Sequence, residues 1–127
     1  PPRSTLFPYT TLFRSIPIEV VPGVSSITAA AVAAGIPLAA ASERIAILPA
    51  TFEEEKLRRT LLDFDTVVLM KVNRVFDRVY ALLGELGLED RCAFVSRAGT
   101  DEEKVTRDLE SLVGRKLDYL SLLIVKK

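Results

Sequence analysis

The stretch Ile18–Pro37 reads IEVVPGVSSITAAAVAAGIP, and the rest of the chain is interpreted outward from it. Its apolar start, Ile18–Val21, predicts a short strand, and the Pro-Gly dipeptide that follows predicts a tight turn. Ser25 or Ser26 then caps a helix, because a serine oxygen accepts the free N–H groups of a first helical turn. That helix is predicted to end at Gly35. The stretch therefore predicts a strand, a turn and a helix in succession.

Strands and helices are predicted to alternate along the rest of the chain. The further strands are predicted at Arg44–Leu48, Asp65–Val72, Arg91–Arg97 and Tyr119–Val125. Three further helices are predicted. The first begins at Thr51 or Phe52, and the other two span Arg74–Leu86 and Val105–Val113. The run Val67–Met70 is apolar throughout, which is typical of a strand buried on both faces. This alternation predicts an α/β fold with about five strands in a mixed or largely parallel sheet and helices on both faces.

Ligands in such a sheet bind at the loops that follow the carboxyl ends of strands. Three loops meet this description, namely Pro22–Ser26, Met70–Arg74 and Ala98–Thr100. In the first, glycine lets a ligand approach the backbone, and the serines present hydroxyls and amides at a helix N-terminus. On spacing alone, a capped helix without a ligand is the simpler interpretation.

Charged residues near these strand ends have two interpretations. Lys71, Arg74 and Arg97 can pair with ligand carboxylates, or they can be scattered surface charges. Cys92 lies in an apolar strand, which favours a core position over a nucleophile. No residue is assigned a catalytic role from these patterns.

Composition excludes several classes of protein. The 127 residues fit one domain, and 17 basic against 17 acidic side chains give no global basic footprint for nucleic acid. The absence of histidine excludes His-based triads and His metal ligands, and one cysteine excludes an intramolecular disulfide, so no metal site is predicted. No apolar run reaches the roughly 18 residues that span a membrane. A cytoplasmic protein is therefore expected.

The first fifteen residues differ from everything after them. Pro1–Ser15 reads PPRSTLFPYTTLFRS, which repeats Thr-Leu-Phe and has no amphipathic register. Within it, Thr5–Ser15 resembles the conceptual translation of a sequencing-library adapter. We therefore expect residues 1–15 to be a disordered, non-native leader and native sequence to begin near Ile16.

Four stretches together carry a family resemblance. They are IEVVPGVSSITAAAVAAGIP at Ile18–Pro37, AILPA at Ala46–Ala50, VVLMKVNR at Val67–Arg74 and YLSLLIVKK at Tyr119–Lys127. In combination they resemble the tetrapyrrole (corrin/porphyrin) methylase family, over nearly everything after Ile16. LMKVNR and the YLSLLIVKK ending point to its precorrin-2 C(20)-methyltransferase branch.

The resemblance implies a place for each candidate site residue. The family has two α/β domains, with S-adenosyl-L-methionine and substrate in the cleft between them. By this resemblance, the residues that contact the cofactor are Pro22, Gly23, Ser25, Ser26, Met70 and the backbone around Gly99. The substrate is a polycarboxylate, and its expected partners are Lys71, Arg74 and Arg97.

The resemblance also implies an activity and a domain organisation. The activity is methyl transfer to C-20 of precorrin-2 or cobalt-precorrin-2 in corrin biosynthesis, which needs no catalytic nucleophile. Residues 16–127 correspond to the C-terminal α/β domain, and the family's Gly-rich N-terminal domain has no counterpart in the chain. A homodimer is expected because family members often form one.

Two alternatives stay open from sequence. One is another tetrapyrrole methylase that acts at a different ring position, and the other is a non-catalytic α/β interaction domain whose serines only cap a helix. A dinucleotide-binding enzyme is a weaker third alternative, because no G-x-G-x-x-G follows a predicted strand.

Overall fold

The computed structural model describes residues 16–127, so the leader predicted at residues 1–15 lies outside the described part. Within residues 16–127, the α-helices are α1 (Ser26–Ala34), α2 (Glu54–Asp63) and α3 (Phe76–Glu85). The strands are β1 (Ile45–Pro49), β2 (Thr66–Met70), β3 (Cys92–Ser96), β4 (Lys104–Thr106) and β5 (Ser121–Lys126). Two short 3₁₀ helices lie at Glu89–Arg91 and Leu109–Leu112. None of these helices is long and apolar enough to cross a membrane.

The five strands form one mixed sheet in the order β1-β2-β5-β3-β4. Only β1 and β2 pair in parallel, and every other pairing is antiparallel. Because β5 runs antiparallel between β2 and β3, those two strands point the same way and end at the same edge of the sheet. The register aligns them closely, since Met70 of β2 and Val95 of β3 both pair with Leu122 of β5.

Helices cover both faces of the sheet, as predicted. Leu123 and Val125 of β5 pack into the core that includes the buried sides of α2 and α3. Leu122 and Ile124 point to the other face and pack against the alanines of α1. The alternation of side chains along one strand therefore supplies two separate cores. The prediction of an α/β fold with a mixed sheet is confirmed.

Helix α1 begins and ends as its sequence predicts. Ser25 is the N-cap, and its Oγ accepts a hydrogen bond from the backbone N–H of Ile27 at 3.1 Å. Gly35 follows the helix in the left-handed conformation, with φ 68°, and its N–H donates to the last turn. Glycine reaches this conformation without a Cβ clash, so it stops the helix at low cost.

The strand predicted at Ile18–Val21 is wrong, because these residues form no regular structure. Ile18 is 41% exposed and Val21 is 72% exposed. A strand needs a neighbour to satisfy its backbone donors and acceptors. No strand of the five-stranded sheet lies beside this segment.

The helix predicted at Val105–Val113 is also wrong. Its first part is strand β4, in which Val105 pairs with Val95 of β3. Its second part is the 3₁₀ helix at Leu109–Leu112, whose two leucines are buried in the core beside α3. The apolar residues at helical spacing therefore belong to two different elements, because residues 104–106 pair with the antiparallel strand β3. The chain therefore ends in three successive strands rather than in alternating elements.

Candidate functional site

A cleft of about 300 Å³ opens at the edge of the sheet where β2 and β3 end. Side chains from three elements meet there: Ser26 from the start of α1, Met70 and Lys71 from the end of β2, and Arg97 and Thr100 from the loop after β3. The apolar part of the wall comes from Val95, Ala98, Leu120 and Leu122. The loops after strand ends, which were predicted to bind ligands, therefore lie together around one cleft.

The two strand ends leave the sheet in the same unusual way. Lys71 directly follows β2 with φ 55°, and Arg97 directly follows β3 with φ 50°. Both are left-handed backbone conformations, which cost a residue with a Cβ free energy relative to glycine. The two residues flank the beginning of β5, and both line the cleft. Their backbone turns direct the following loops around it.

Arg97 is held on its side of the cleft by Asp118. The Arg97 Nε donates to Oδ2 of Asp118 at 2.6 Å, and Oδ1 accepts from the backbone N–H of Leu120 at 2.8 Å. These two hydrogen bonds, that from Leu120 first, lower the pKa of the Asp118 carboxyl. The same carboxylate raises the pKa of the Arg97 guanidinium, and Glu102 adds a weaker contact at 3.8 Å. Much of the charge of Arg97 is therefore compensated within the protein.

The loop after β3 is folded by hydrogen bonds of its own. The Thr100 hydroxyl donates to the carbonyl oxygen of Arg97 at 2.7 Å. The backbone N–H of Gly99 donates to Oε1 of Glu103 at 2.8 Å. Gly99 has φ 81°, which glycine adopts without strain. These contacts fix the path of the loop beside the cleft.

The structure brings together four of the residues predicted for the site, namely Ser26, Met70, Lys71 and Arg97. The other predicted residues lie elsewhere. Ser25 caps α1, and Pro22 and Gly23 are exposed in the segment before it. Gly99 lies in a neighbouring groove that α1 lines with Thr28 and Val32, and Arg74 lies in a separate depression with Arg78 and Arg115.

Sequence reasoning missed the segment just before β5. Tyr119 and Leu120 line the cleft, although both were predicted inside a strand that in fact begins at Ser121. Asp118 was also missed as the partner of Arg97. The one local signal for Asp118 is its position directly before a long apolar run. This signal does not indicate an ion pair with Arg97, because an isolated aspartate before a strand is more often a turn residue.

The matching family model is that of the Tetrapyrrole (Corrin/Porphyrin) Methylases, and it covers residues 7–113. The chain belongs to the tetrapyrrole methylase family. The predicted family resemblance is thereby confirmed. Because the matched range starts inside the leader predicted at residues 1–15, that boundary stays a prediction.

Relatives of this tetrapyrrole methylase chain include two curated enzymes. It is 36% identical over 111 residues to the cobalt-precorrin-2 C(20)-methyltransferase of Salmonella typhimurium, covering 87% of this chain and 47% of that protein. It is 31% identical over 114 residues to the precorrin-2 C(20)-methyltransferase of a Sinorhizobium species, covering 90% of this chain and 46% of that protein. The chain therefore spans about half the length of these relatives.

The fold is shared with solved structures. One is the uroporphyrin-III C-methyl transferase of Thermus thermophilus complexed with S-adenyl homocysteine, with a TM-score of 0.61 and 24% identity. That likeness covers 98% of this chain and 59% of the other. It supports the mixed α/β architecture described above.

Proposed function

We propose that this chain forms part of an S-adenosyl-L-methionine-dependent methyltransferase that acts on C-20 of precorrin-2 or cobalt-precorrin-2 in cobalamin biosynthesis. The observation that carries the proposal is the match, at 36% and 31% identity, to two proteins named for this reaction. The convergence of Ser26, Met70 and Lys71 at one cleft supports it, because the matching sequence motifs lie there.

The cleft has the properties that the nucleoside part of the cofactor needs. Its wall is largely apolar, and the flexible thioether side chain of Met70 can adapt to an adenine ring. Ser26 adds a hydroxyl at the start of α1. We assign Ser26 and Met70 direct contacts, and Pro22–Ser25 and Gly99 backbone positions beside them. The Thermus thermophilus protein, which shares the fold, is complexed with S-adenyl homocysteine.

The chain's own residues would act by binding and alignment. The cofactor would supply a methyl group already activated by its sulfonium. The apolar wall excludes water from that group, and the ordered loops after β2 and β3 fix its direction. No side chain would need to attack, because C-20 of the substrate is the nucleophile; its bond to the methyl carbon would form as the sulfonium–methyl bond breaks, and the proton displaced from C-20 would leave to solvent. This account fits a chain that has no histidine and whose one cysteine, Cys92, is buried and is not among the residues that line the cleft.

The substrate would bring several carboxylates to the open side of the cleft. We propose Lys71 and Arg97 as their partners at the cleft, and Arg74, which lies in the separate depression, as a partner outside it, since guanidinium and ammonium groups form charge-assisted hydrogen bonds with carboxylates. Arg97 already binds Asp118 through Nε, so only its terminal nitrogens would be available.

The assembly and location belong to the same proposal. We infer a homodimer in the cytoplasm, supported by exposed apolar side chains around α1, where Val24 is 86% exposed and Val32 is 82% exposed. Light scattering of the purified protein after size exclusion would measure its mass. A monomer at micromolar concentration would contradict the dimer.

Cofactor binding can be tested on the 127-residue chain itself. ¹⁵N-HSQC titration with S-adenosyl homocysteine detects affinities as weak as millimolar. We expect the largest shifts at the amides of Ser26, Met70 and Gly99. Shifts spread evenly over the surface, or none at saturating ligand, would contradict the proposed cofactor site.

Methyl transfer is tested in a protein of the relatives' full length, because this chain spans about half of that length. In a chimera, this chain from Ile16 replaces the matching 111 residues of the Salmonella typhimurium relative. We expect methylation of cobalt-precorrin-2, with mass spectrometry giving one added methyl group and NMR placing it at C-20. A methyl group at another ring position would favour the sister methylases. A chimera that binds S-adenosyl homocysteine and transfers no methyl group to either metal form would overturn the proposed activity.

A further inference from the structure

A depression of about 350 Å³ lies at the N-terminal end of α3 and shares no lining residue with the cleft. Its polar lining consists of three arginines, one amide and one carboxylate, namely Arg74, Arg78, Arg115, Asn73 and Asp77. Arg74 precedes the helix, Arg78 lies in its first turn, and Arg115 belongs to the loop after the 3₁₀ helix at Leu109–Leu112. Two distant parts of the chain therefore bring three guanidinium groups to one place.

Hydrogen bonds fix the backbone of Arg115 beside the helix. The N–H of Gly114 donates to Oδ1 of Asp77 at 3.1 Å, and the N–H of Arg115 donates to the carbonyl oxygen of Leu112 at 3.2 Å. Gly114 has φ 76°, a conformation that glycine adopts without a Cβ clash. The carboxylate of Asp77 thus anchors the loop, and among the described residues it forms no ion pair with an arginine.

The guanidinium groups of the depression have no acidic partner among the described residues. The side chains of Arg74 and Arg115 make no hydrogen bond or ion pair there, and Arg78 donates only to the carbonyl oxygens of Ala50 and Phe52, at 3.2 and 3.3 Å. This is a local excess of positive charge in a chain whose 17 basic and 17 acidic residues balance. Like charges held close together repel, and a bound anion offsets that repulsion.

The charge and the donors of the depression match a phosphate dianion better than a carboxylate. Three guanidinium groups against the one carboxylate of Asp77 leave two positive charges. A single arginine can bind both oxygens of a carboxylate, whereas a phosphate group offers three acceptor oxygens and a charge of roughly −1.5 to −2. No side chain caps α3, so the N–H groups of its first turn add to the attraction for an anion.

We propose that Arg74, Arg78 and Arg115 form a binding site for a phosphate dianion, supplied as free phosphate or as the phosphate group of a small molecule. The site goes beyond the methyltransferase function proposed above and does not depend on it. Its volume of about 350 Å³ is near the lower end of the roughly 300–1,000 Å³ that small-molecule sites occupy, so the ligand is small.

The ligand class is tested by ¹⁵N-HSQC titration of the 127-residue chain at constant ionic strength and about pH 7.5, where the dianion is abundant. Inorganic phosphate, glycerol 3-phosphate and acetate are the three probes. We expect both phosphates to shift the amides of Asp77, Arg78 and Arg115 and to bind at least about tenfold more tightly than acetate. Tighter binding of glycerol 3-phosphate than of phosphate assigns the site to a phosphorylated molecule, and equal affinity assigns it to the phosphate group alone. Acetate binding as tightly as phosphate would overturn the proposal.

Arg115→Gln and Lys116→Gln form a matched pair of variants. Both remove one positive charge from adjacent exposed residues, and only Arg115 lines the depression. We expect Arg115→Gln to weaken phosphate binding about tenfold and Lys116→Gln to stay within about twofold of the parent. Arg74→Gln should weaken it as Arg115→Gln does, so the test does not depend on one variant. Equal effects at Arg115 and Lys116 would mean general attraction to a positive surface and would overturn the site.

Thermal unfolding gives a second readout. Phosphate should raise the melting temperature of the parent, because a ligand of the folded state stabilises it, and should raise that of Arg115→Gln much less. Without phosphate, Arg115→Gln should melt with the parent, because its side chain makes no hydrogen bond or ion pair among the described residues that the substitution removes. A loss of phosphate binding is then separate from a loss of structure.

The chimera separates this site from the proposed methyltransferase function. Arg115→Gln should leave KM and kcat for cobalt-precorrin-2 unchanged, since Arg115 does not line the cleft. A raised KM would assign the depression to the tetrapyrrole substrate and overturn a separate phosphate site. A parent that ignores phosphate and still methylates overturns the site alone, and a parent that binds phosphate and transfers no methyl group overturns the methyltransferase alone.

Discussion

The side chain of Asp118 links Arg97 to the backbone of Leu120. Its Oδ2 accepts from the Arg97 Nε at 2.6 Å, and its Oδ1 accepts from the Leu120 N–H at 2.8 Å. The backbone N–H of Arg97 in turn donates to the carbonyl oxygen of Leu120 at 2.7 Å. The end of β3 and the start of β5 are thus joined on one wall of the cleft.

Replacing Asp118 with asparagine should remove a pH-dependent part of the stability. The hydrogen bond from Leu120 and that from Arg97 hold the carboxyl pKa below its ordinary value of 3.8. The folded protein therefore prefers the charged carboxylate, so its contribution is present above that ordinary value and is lost as the pH falls through the lowered pKa.

Urea unfolding of the parent and Asp118→Asn, from about pH 6 to about pH 2.5, measures this contribution. We expect the parent to be more stable at the upper end and the difference to shrink below about pH 4. A difference that is constant over this range would mean that packing, rather than the charged pair, explains the effect. Glu43→Gln is a parallel case, since Lys126 and the Ala40 N–H lower the pKa of Glu43.

Alanine substitutions at Ser25 and Ser26 should have different effects on the free energy of unfolding and on cofactor affinity. Ser25 accepts the Ile27 N–H as the cap of α1, so Ser25→Ala should cost about 0.5–2 kcal/mol in the free energy of unfolding. Ser26 is exposed on the cleft wall, so Ser26→Ala should stay within about 0.5 kcal/mol of the parent. Its affinity for S-adenosyl homocysteine should fall. Chemical denaturation and the HSQC titration check the two effects, and equal losses of stability would contradict the division.

The part of the fold that was predictable from sequence is the set of strands whose two faces are both covered by helices. The central residues of β2, β3 and β5, namely Val67–Met70, Cys92–Val95 and Leu122–Val125, are apolar throughout, because each strand is buried on both faces, and their strand type was clear from sequence. Ile18–Val21 is also mostly apolar and has no strand partner among the described residues, which sequence cannot reveal. Val105 pairs with Val95 of β3 across the sheet. This long-range pairing overrides the helical spacing of the apolar residues in Val105–Val113.

The site was predictable where it depends on strand ends. Met70, Lys71 and Arg97 each lie at or directly after the end of a predicted strand, so the rule for α/β sheets locates them without knowledge of strand order. Asp118 and Tyr119 join them only because β5 is inserted between β2 and β3. That insertion is a property of the whole chain, so no local pattern indicates it.

The two faces of β5 should be equally sensitive to truncation. Leu123 and Ile124 are adjacent and both fully buried, on opposite sides of the sheet. Leu123→Ala and Ile124→Ala should each cost about 2–5 kcal/mol in the free energy of unfolding. Ile47 on the edge strand is 54% exposed, and Ile47→Ala should cost far less. A mild Ile124→Ala would mean that α1 does not cover its face in solution.

Cys92 should be unreactive in the folded protein. Its side chain is 2% exposed, and its Sγ donates to the carbonyl oxygen of Leu88 at 3.1 Å. Burial raises the pKa of the thiol to about 12, with smaller contributions from the nearby Glu89 and Asp90 carboxylates. Since the thiolate is the reactive form, an aromatic disulfide reagent at about pH 8 should react only through opening of the fold.

The chain has one cysteine, so the released chromophore reports Cys92 alone. We expect full reaction within seconds in urea and a rate at least about a thousandfold lower in native buffer, because the open state is rare. The logarithm of the native rate should increase in Leu123→Ala in proportion to its loss of stability, since the rate and the free energy of unfolding both report the same opening. Rapid native reaction that Leu123→Ala leaves unchanged would place Cys92 at an accessible surface instead of in the core between β5 and α3.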